Sequence, residues 1–437
     1  MPSAQRAGIN KIRMQYKYIT TSDELKEYCQ ALASCKSIAF DTEFVSEHTY
    51  RPVLCLVQVS ADNELAAIDA IEIGDLTPFW ELIAAEGHET VVHAGRGEME
   101  FCLHAAGRRP AGLFDVQIAA GLVGVEYPAG YGTLVSKLLG HRFAKHETRT
   151  DWRRRPLSKR QIEYALTDAL HLPELRRTLG ERLDQLGRQA WMEEEMASWQ
   201  EQAEKSILHD RWHRVSGNTG LDSRALAVLR ELYRWRDAEA KRRNQPARRV
   251  LRDDLIVELA RRGSADPARI SALRGMERGD LVRRMDEIAA CIQRGLELPE
   301  EKLPVKIHGN QMPQLSVLGQ FLFSALGSIC RQAELAPTIV GTPNDIRELI
   351  AYDIRKVKPK TLPRLAQGWR KEFVGRLFDE LLSGRVAIRI ADPSADAPLS
   401  FEGADEYKGE SAEQDSPAAP RPKKHATGHK NLRRHKE

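Results

Sequence analysis

Asp41 and Glu43 close a short apolar run, Ser37-Ile38-Ala39-Phe40, and one residue separates them. On a strand, side chains i and i+2 share a face, so the two carboxylates aim at one point. Two anions that close repel unless a positive charge lies between them, and a divalent cation is the usual answer. An exposed strand end with two solvated acids would satisfy the same residues. The choice rests on whether further carboxylates arrive from elsewhere. Val91-Val92-His93-Ala94-Gly95-Arg96-Gly97-Glu98 reads as a strand passing through glycines into a helix that carries Glu98 near its start. Downstream, Ser158-Lys159-Arg160-Gln161 has capping-box spacing and opens a helix bearing Tyr164 and Asp168, four apart and hence on one face. Three segments thus offer four acids and a phenol.

The elements that must position them read as α/β. Tyr16 to Ile19, Ser37 to Phe40, Val53 to Val59, Leu65 to Ile68 and Thr90 to His93 are strands, with a turn at Asp62-Asn63. Helices follow Thr21-Ser22-Asp23-Glu24 and span Thr77 to Ala85, so the pattern is a mixed sheet with helices on its faces. After residue 113 the strand signals stop, and helices cover Asp115 to Val123, Gly132 to Leu139, Ser158 to Leu186 (kinked or divided at Pro173) and Gln189 to Ile207. Residues 213–300 and 310–390 show only helical periodicity, as in Leu226, Leu229, Leu232 and again in Leu318, Phe321, Leu322. Each stretch has the length of a small helical bundle. Residues 1–15 form an N-terminal arm. Residues 391–437 are rich in Ala, Pro, Ser and acids before turning basic, which predicts a disordered tail.

A chain of 437 residues is too long for one core. Its hydrophobic fraction of 42% and charged fraction of 29% are those of a soluble protein, with no apolar run of the ~18 residues that a membrane span needs. Six scattered cysteines without a Cys-x-x-Cys pair speak against zinc or a disulfide framework and for the cytoplasm. The net charge is only +4, but arginine gathers in Arg153-Arg154-Arg155, Lys241-Arg242-Arg243 and Arg248-Arg249. Such runs suit phosphate contact, and equally a solvated surface.

Taken together, Phe40-Asp41-Thr42-Glu43-Phe44, His93-Ala94-Gly95 with Glu98, Phe114-Asp115-Val116-Gln117 and Tyr164-Ala165-Leu166-Thr167-Asp168 resemble the ribonuclease D family. This is the tyrosine-bearing group of the DEDD 3′–5′ exonucleases. The run Lys145 to Ser158 looks like the family's segment before its last catalytic helix. Residues 218–298 look like an HRDC domain, and residues 334–382 like a second, more divergent one. The resemblance implies a ribonuclease H-like exonuclease domain over 16–212, two HRDC-type bundles and a disordered basic tail. One position departs from the pattern, since Glu98 stands where the family's third acid is normally aspartate.

What the resemblance implies chemically is a pair of divalent cations, Mg²⁺ or Mn²⁺, as all-oxygen ligands suggest. Asp41 would bridge both ions, Glu43 and Asp168 would hold the one that activates water, and Glu98 would support the other. Tyr164 would position the water rather than take its proton, a phenol pKa near 10 being too high for a base. The expected activity is 3′–5′ trimming of RNA, tRNA precursors among the substrates, with release of nucleoside 5′-monophosphates and no organic cofactor. Phe44 either stacks on the terminal base or packs beneath the strand end. His93, Lys145, Arg242 and Arg243 are candidate RNA contacts, His93 having a structural role as its stronger alternative. Asp115 reads as a helix cap. A DNA exonuclease and a catalytically silent RNA-binding scaffold are the competing readings.

Overall fold

The computed structural model describes residues 14–141, 150–305, 313–355 and 362–403. The first portion of the chain is built on β1 (Lys17–Ile19), α1 (Ser22–Leu32), β2 (Ser37–Val45), β3 (Val53–Ala61), β4 (Glu64–Asp69), α2 (Ala70–Ile73), α3 (Thr77–Ile83), β5 (Glu89–Val92), α4 (Arg96–Ala105) and β6 (Leu113–Asp115). Five further helices complete it: α5 (Val116–Leu122), α6 (Tyr131–Leu139), α7 (Lys159–Leu170), α8 (Leu172–Gln185) and α9 (Gln189–Leu208). The strands form one sheet in the order β1-β4-β3-β2-β5-β6, with β2, β3 and β4 antiparallel and the remaining pairs parallel. Asp62 and Asn63 both take positive φ, the geometry of a tight hairpin between β3 and β4.

Two local differences from the sequence reading concern short elements. The strands do not stop at 113, because Leu113–Asp115 pairs with β5 before Asp115 caps α5. Three residues are too few to show a period of two. The long helix predicted over 158–186 divides at His171, ahead of Pro173, into α7 and α8.

A bundle follows: α10 (Ser223–Arg243), α11 (Ala247–Val250), α12 (Asp253–Arg262), α13 (Pro267–Ser271), α14 (Gly279–Val282) and α15 (Met285–Leu296). It has its own core, in which Leu226, Leu229, Leu232, Ile256, Leu259, Ile288 and Ile292 are buried together. The last helices behave differently. α16 (Pro313–Gln332), α17 (Pro337–Val340), α18 (Pro343–Arg355) and the helical stretch from Gly368 to Leu382 bury Leu326, Ile339, Leu349, Trp369 and Phe378 in the same core as the sheet. The weld is polar as well as apolar. Glu195 of α9, 5% exposed, accepts hydrogen bonds from Arg370 at 2.6 Å, Arg364 at 2.9 Å and the Trp369 indole at 3.2 Å. Removing that carboxylate leaves the Arg370 guanidinium buried without a counter-charge. Glu195→Ala is therefore expected to cost about 3–5 kcal/mol, read as a fall in the thermal midpoint of the full chain.

The described structure also continues past residue 391, where the tail was expected to begin. Val386–Ile390 (β7) pairs antiparallel with Leu399–Gly403 (β8), and Phe401 packs on the main core. Alternate apolar residues form this hairpin, and its Asp/Pro/Ser/Ala-rich loop hid it in a reading by composition. Residues 404–437 lie outside the described residues. No described helix is long and apolar enough to cross a membrane.

Candidate active site

β2 delivers the first two acids. It lies between β5, which pairs with Ser37 to Ala39, and β3, which pairs with Ala39 to Val45, so Asp41 and Glu43 stand just past the end of the parallel ladder while β3 still holds their backbone. Asp41 and Glu43 point to the face covered by α7, and Thr42 between them points to the face of α4. The Thr42 hydroxyl donates to Glu98 Oε1 at 2.6 Å in a buried contact. The third acid is thus tied to the strand that carries the first two. The extra methylene of glutamate is accommodated by this bond, since the carboxylate has a fixed donor to reach for.

The turn feeding α4 is shaped by Asp115, which is buried and accepts from the backbone N–H groups of Ala94 and Gly95, both at 3.0 Å, and of Gln117 at 2.8 Å. Ala94 takes a φ of 54° there, uncommon for a residue with a Cβ and held by these bonds. Asp115 therefore positions the segment bearing Glu98, as well as capping α5.

α7 brings Tyr164 and Asp168. Its entry is anchored by Arg155, whose guanidinium pairs with the fully buried Asp69 at 2.6 Å and reaches the Cys55 carbonyl at 2.8 Å. Ser158 and Gln161 form the predicted capping box. Ile162, Ala165 and Leu166 then pack on Leu56 and Ala67 of the sheet. Tyr164 and Asp168 are both half-buried on this helix.

Burial first, then repulsion by Glu98, Asp168 and Glu43, pushes the Asp41 carboxyl well above the ordinary range. Burial and then Asp168 raise Glu43 to about 7. Burial raises Glu98 to about 7 as well, against the lowering effect of the Thr42 hydrogen bond and with Asp115 adding to the rise. These mutual effects place Asp41, Glu43, Glu98 and Asp168 in one electrostatic cluster, and no cationic side chain is among the causes acting on Asp41, Glu43 or Glu98. Acid oxygens that hold protons near neutrality for want of a positive charge fit a hard divalent cation.

Gln58 was not singled out by sequence. It faces Asp41 across the β2–β3 ladder, is fully buried, and its amide has no hydrogen-bond partner among the described residues. Cross-strand neighbours share a face, so this unsatisfied amide adjoins the acid cluster. The available signal was one amide inside the apolar run Val53-Leu54-Cys55-Leu56-Val57-Gln58-Val59.

The other candidates are distributed as follows. Phe44 follows a register shift in β2, is 39% exposed, and packs edge-on against Phe101 at 5.6 Å. Bulges of this kind re-aim a side chain beside a site. A Cβ at Gly97 would stand 3.2 Å from the Phe44 ring, so glycine leaves room for it. The His93 Nε2 lies 2.8 Å from the Ala129 carbonyl, a structural contact. Arg242 and Arg243 both bond the buried carboxylate of Glu239, which with Arg284 draws Glu239 down to about 2. Both arginines are thus ion-paired within the bundle, the Arg242 side chain remaining largely exposed. Lys145 lies outside the described residues. Glu100, the nearest other acid on α4, lines a different cavity.

Comparison with known proteins bears on the family and the fold. Residues 16–184 match the 3′–5′ exonuclease family model, and residues 225–292 match the HRDC domain. A ribonuclease D of Nitrobacter hamburgensis is 34% identical over 85% of this chain and 96% of its own length. One from Acidiphilium cryptum is 35% identical over 85% of this chain and 94% of its own. The crystal structure of Escherichia coli RNase D, described as an exoribonuclease involved in structured RNA processing, superposes with a TM-score of 0.74. It is 28% identical and covers 85% of this chain and 99% of that one. The acids gathered around β2, the match along most of the chain and the shared architecture lead to one assignment: the chain belongs to the ribonuclease D family and is a 3′–5′ exoribonuclease acting on RNA with divalent cations.

Proposed function

We propose that the enzyme removes nucleoside 5′-monophosphates singly from RNA 3′ ends, precursor tRNAs among its substrates, with two Mg²⁺ or Mn²⁺ ions held by Asp41, Glu43, Glu98 and Asp168. The observation that carries this reading is the raised proton affinity of Asp41, Glu43 and Glu98, three acids drawn together without a counter-charge. When bound, such cations neutralise the phosphate and acidify water. The protein's own contribution is placement. Thr42 holds the Glu98 carboxylate, Tyr164 offers its phenol oxygen to orient the attacking water while keeping its proton, and Phe44 presents its exposed edge to the terminal base. The division into an exonuclease domain over 16–212, an HRDC domain over 213–300 and a second HRDC-like unit over 310–390 belongs to the same proposal.

The test is RNA labelled at its 5′ end and incubated with Mn²⁺ or Mg²⁺. A ladder shortening from the 3′ end, with 5′-mononucleotides recovered by chromatography, is the expected result. No release with either metal would leave a silent scaffold, and equal rates on matched DNA would favour a DNA exonuclease. In the same assay Glu98→Asp is expected to stay within about threefold of the parent or exceed it, and Glu98→Ala to lose about 10²-fold. An inactive Asp variant would show that the backbone is built around the longer acid.

A further inference from the structure

Apart from the acid cluster, a second group of metal-ligand side chains converges among the described residues. His141, His171 and Glu174 each offer a ligand atom, and these atoms all lie within 4.8 Å of one another. The His141 Nε2 is 3.8 Å from a Glu174 carboxylate oxygen, and the two imidazoles stack at 4.9 Å between ring centres. Two places in the chain supply the trio. α6 ends at Leu139, and Gly140, with a φ of 71°, turns the backbone so that His141 follows at once. His171 stands at the joint between α7 and α8, and Glu174 lies in the first turn of α8. Residues three apart on a helix share a face, so His171 and Glu174 are presented together.

The backbone beneath this joint is fixed by Tyr131, at the start of α6. Its hydroxyl donates to the Thr167 carbonyl at 2.9 Å and accepts from the His171 N–H at 3.1 Å. α6 also packs along α8. The two histidines are therefore brought together by the main chain and by helix packing, and not by their rings alone. Burial, then His141, lowers the His171 pKa, with Glu174 opposing. A neutral imidazole keeps one ring nitrogen unprotonated, which is the form that binds metal.

The donor set decides between cations. Imidazole suits Zn²⁺, Ni²⁺ or Co²⁺, whereas Mg²⁺ and Ca²⁺ take oxygen. A tetrahedral Zn²⁺ bound at ~2.1 Å has its ligand atoms about 3.4 Å apart. The widest gap must then close by about 1.4 Å, a rotamer adjustment open to His141 and Glu174 because both side chains are half-exposed.

We infer that His141, His171 and Glu174 form a metal site of their own, selective for a transition metal such as Zn²⁺ over Mg²⁺, with the fourth position left to water. It stands apart from the acid cluster electrostatically. None of its residues is among the main causes of the shifts at Asp41, Glu43 or Glu98, and none of those acids is among the causes at His171. The inference does not depend on the nuclease reading. The bound ion ties the end of α6 to the joint just past Asp168, which makes it a clip on the helix that carries Tyr164 and Asp168. The cysteine spacing speaks only against a thiolate site, and no motif spacing links His141 to His171.

The test is calorimetric titration of Zn²⁺ into the full chain with Mg²⁺ in excess. It is made in an Asp41→Asn background, which withdraws the central carboxylate of the acid cluster and so keeps Zn²⁺ bound there from dominating the heat. His141 and Glu174 are exposed, so H141A and E174Q do not threaten the fold, and the half-buried His171 is left in place. D41N is expected to take up one equivalent of Zn²⁺ and to melt higher with it. D41N/H141A and D41N/E174Q are each expected to lose at least the ~10- to 100-fold in affinity that follows loss of a group merely supporting a ligand. Their melting temperatures should no longer respond to Zn²⁺. Crystals soaked in Zn²⁺ should show an anomalous peak among the three side chains. No uptake by D41N, equal affinity in all three proteins, or a peak confined to the acid cluster would overturn the inference. Equal stabilisation by Mg²⁺ alone would overturn the selectivity.

Discussion

Asp41→Asn is expected to lower the rate of RNA trimming by about 10³-fold or more while making the metal-free protein more stable. The two effects have one cause. Asp41 is pressed by Glu98, Asp168 and Glu43 within a buried setting, and its carboxyl accordingly takes up a proton far more readily than in an unfolded chain. A group whose acidity is weakened by folding opposes the fold as pH rises from its unfolded pKa through its folded one. At neutral pH the deprotonated acid is therefore a liability that only a bound cation removes. Asparagine keeps the shape and discards the charge, so the melting temperature in EDTA should rise. Single-turnover kinetics and scanning fluorimetry provide the two readings. An Asn variant active within about tenfold of the parent would take Asp41 out of the site, and a lower melting temperature would show that the acids do not repel as described.

Metal binding should strengthen steeply with pH in the neutral range. Glu43 and Glu98 in the metal-free protein each titrate at about 7. Cations bind the deprotonated oxygens, so below that value each ion must displace protons from Glu43 and Glu98, and above it these two acids are already open. The apparent Kd for Mn²⁺ is expected to fall by about 10- to 100-fold between about pH 6 and about pH 8, then to level off. Titration calorimetry in buffers of different ionisation heat should show protons released on binding at the acid end of that window and few at the other. The stabilisation conferred by Mn²⁺ should grow over the same interval, because the repulsion it relieves is present only once the carboxylates are charged. A chelator should abolish activity throughout. Affinity independent of pH would mean that the acids are already ionised without metal.

Much of this site was legible in the sequence because its parts obey local rules. Asp41 and Glu43 share a face by strand geometry, Tyr164 and Asp168 by helix geometry, and Ser158-to-Gln161 announced the helix that carries them. What escaped depends on contacts between segments far apart in the chain. No spacing rule joins Thr42 to Glu98 or places Gln58 opposite Asp41, since these follow from register and packing. The arginine runs show the same limit. Arg242 and Arg243 looked like free cations in sequence, yet Glu239, three and four residues earlier, engages both. Arg96 and Arg211 stood in no run at all, and the fold brings them to one serine. The hairpin ending at Gly403 was hidden because composition averages over its short strands.

The helices after residue 313 share their interior with the sheet, whereas residues from 215 to 296 enclose a separate one. On the ribosome these regions emerge in an awkward order. The middle bundle can close as soon as its own residues are out of the exit tunnel, but the nuclease, whose strands are translated first, lacks part of its interior until the final helices appear. The flanks of α5 and α9 that these last helices cover stay exposed for most of translation, which makes this interval the point at which the chain is most open to chaperone capture or aggregation.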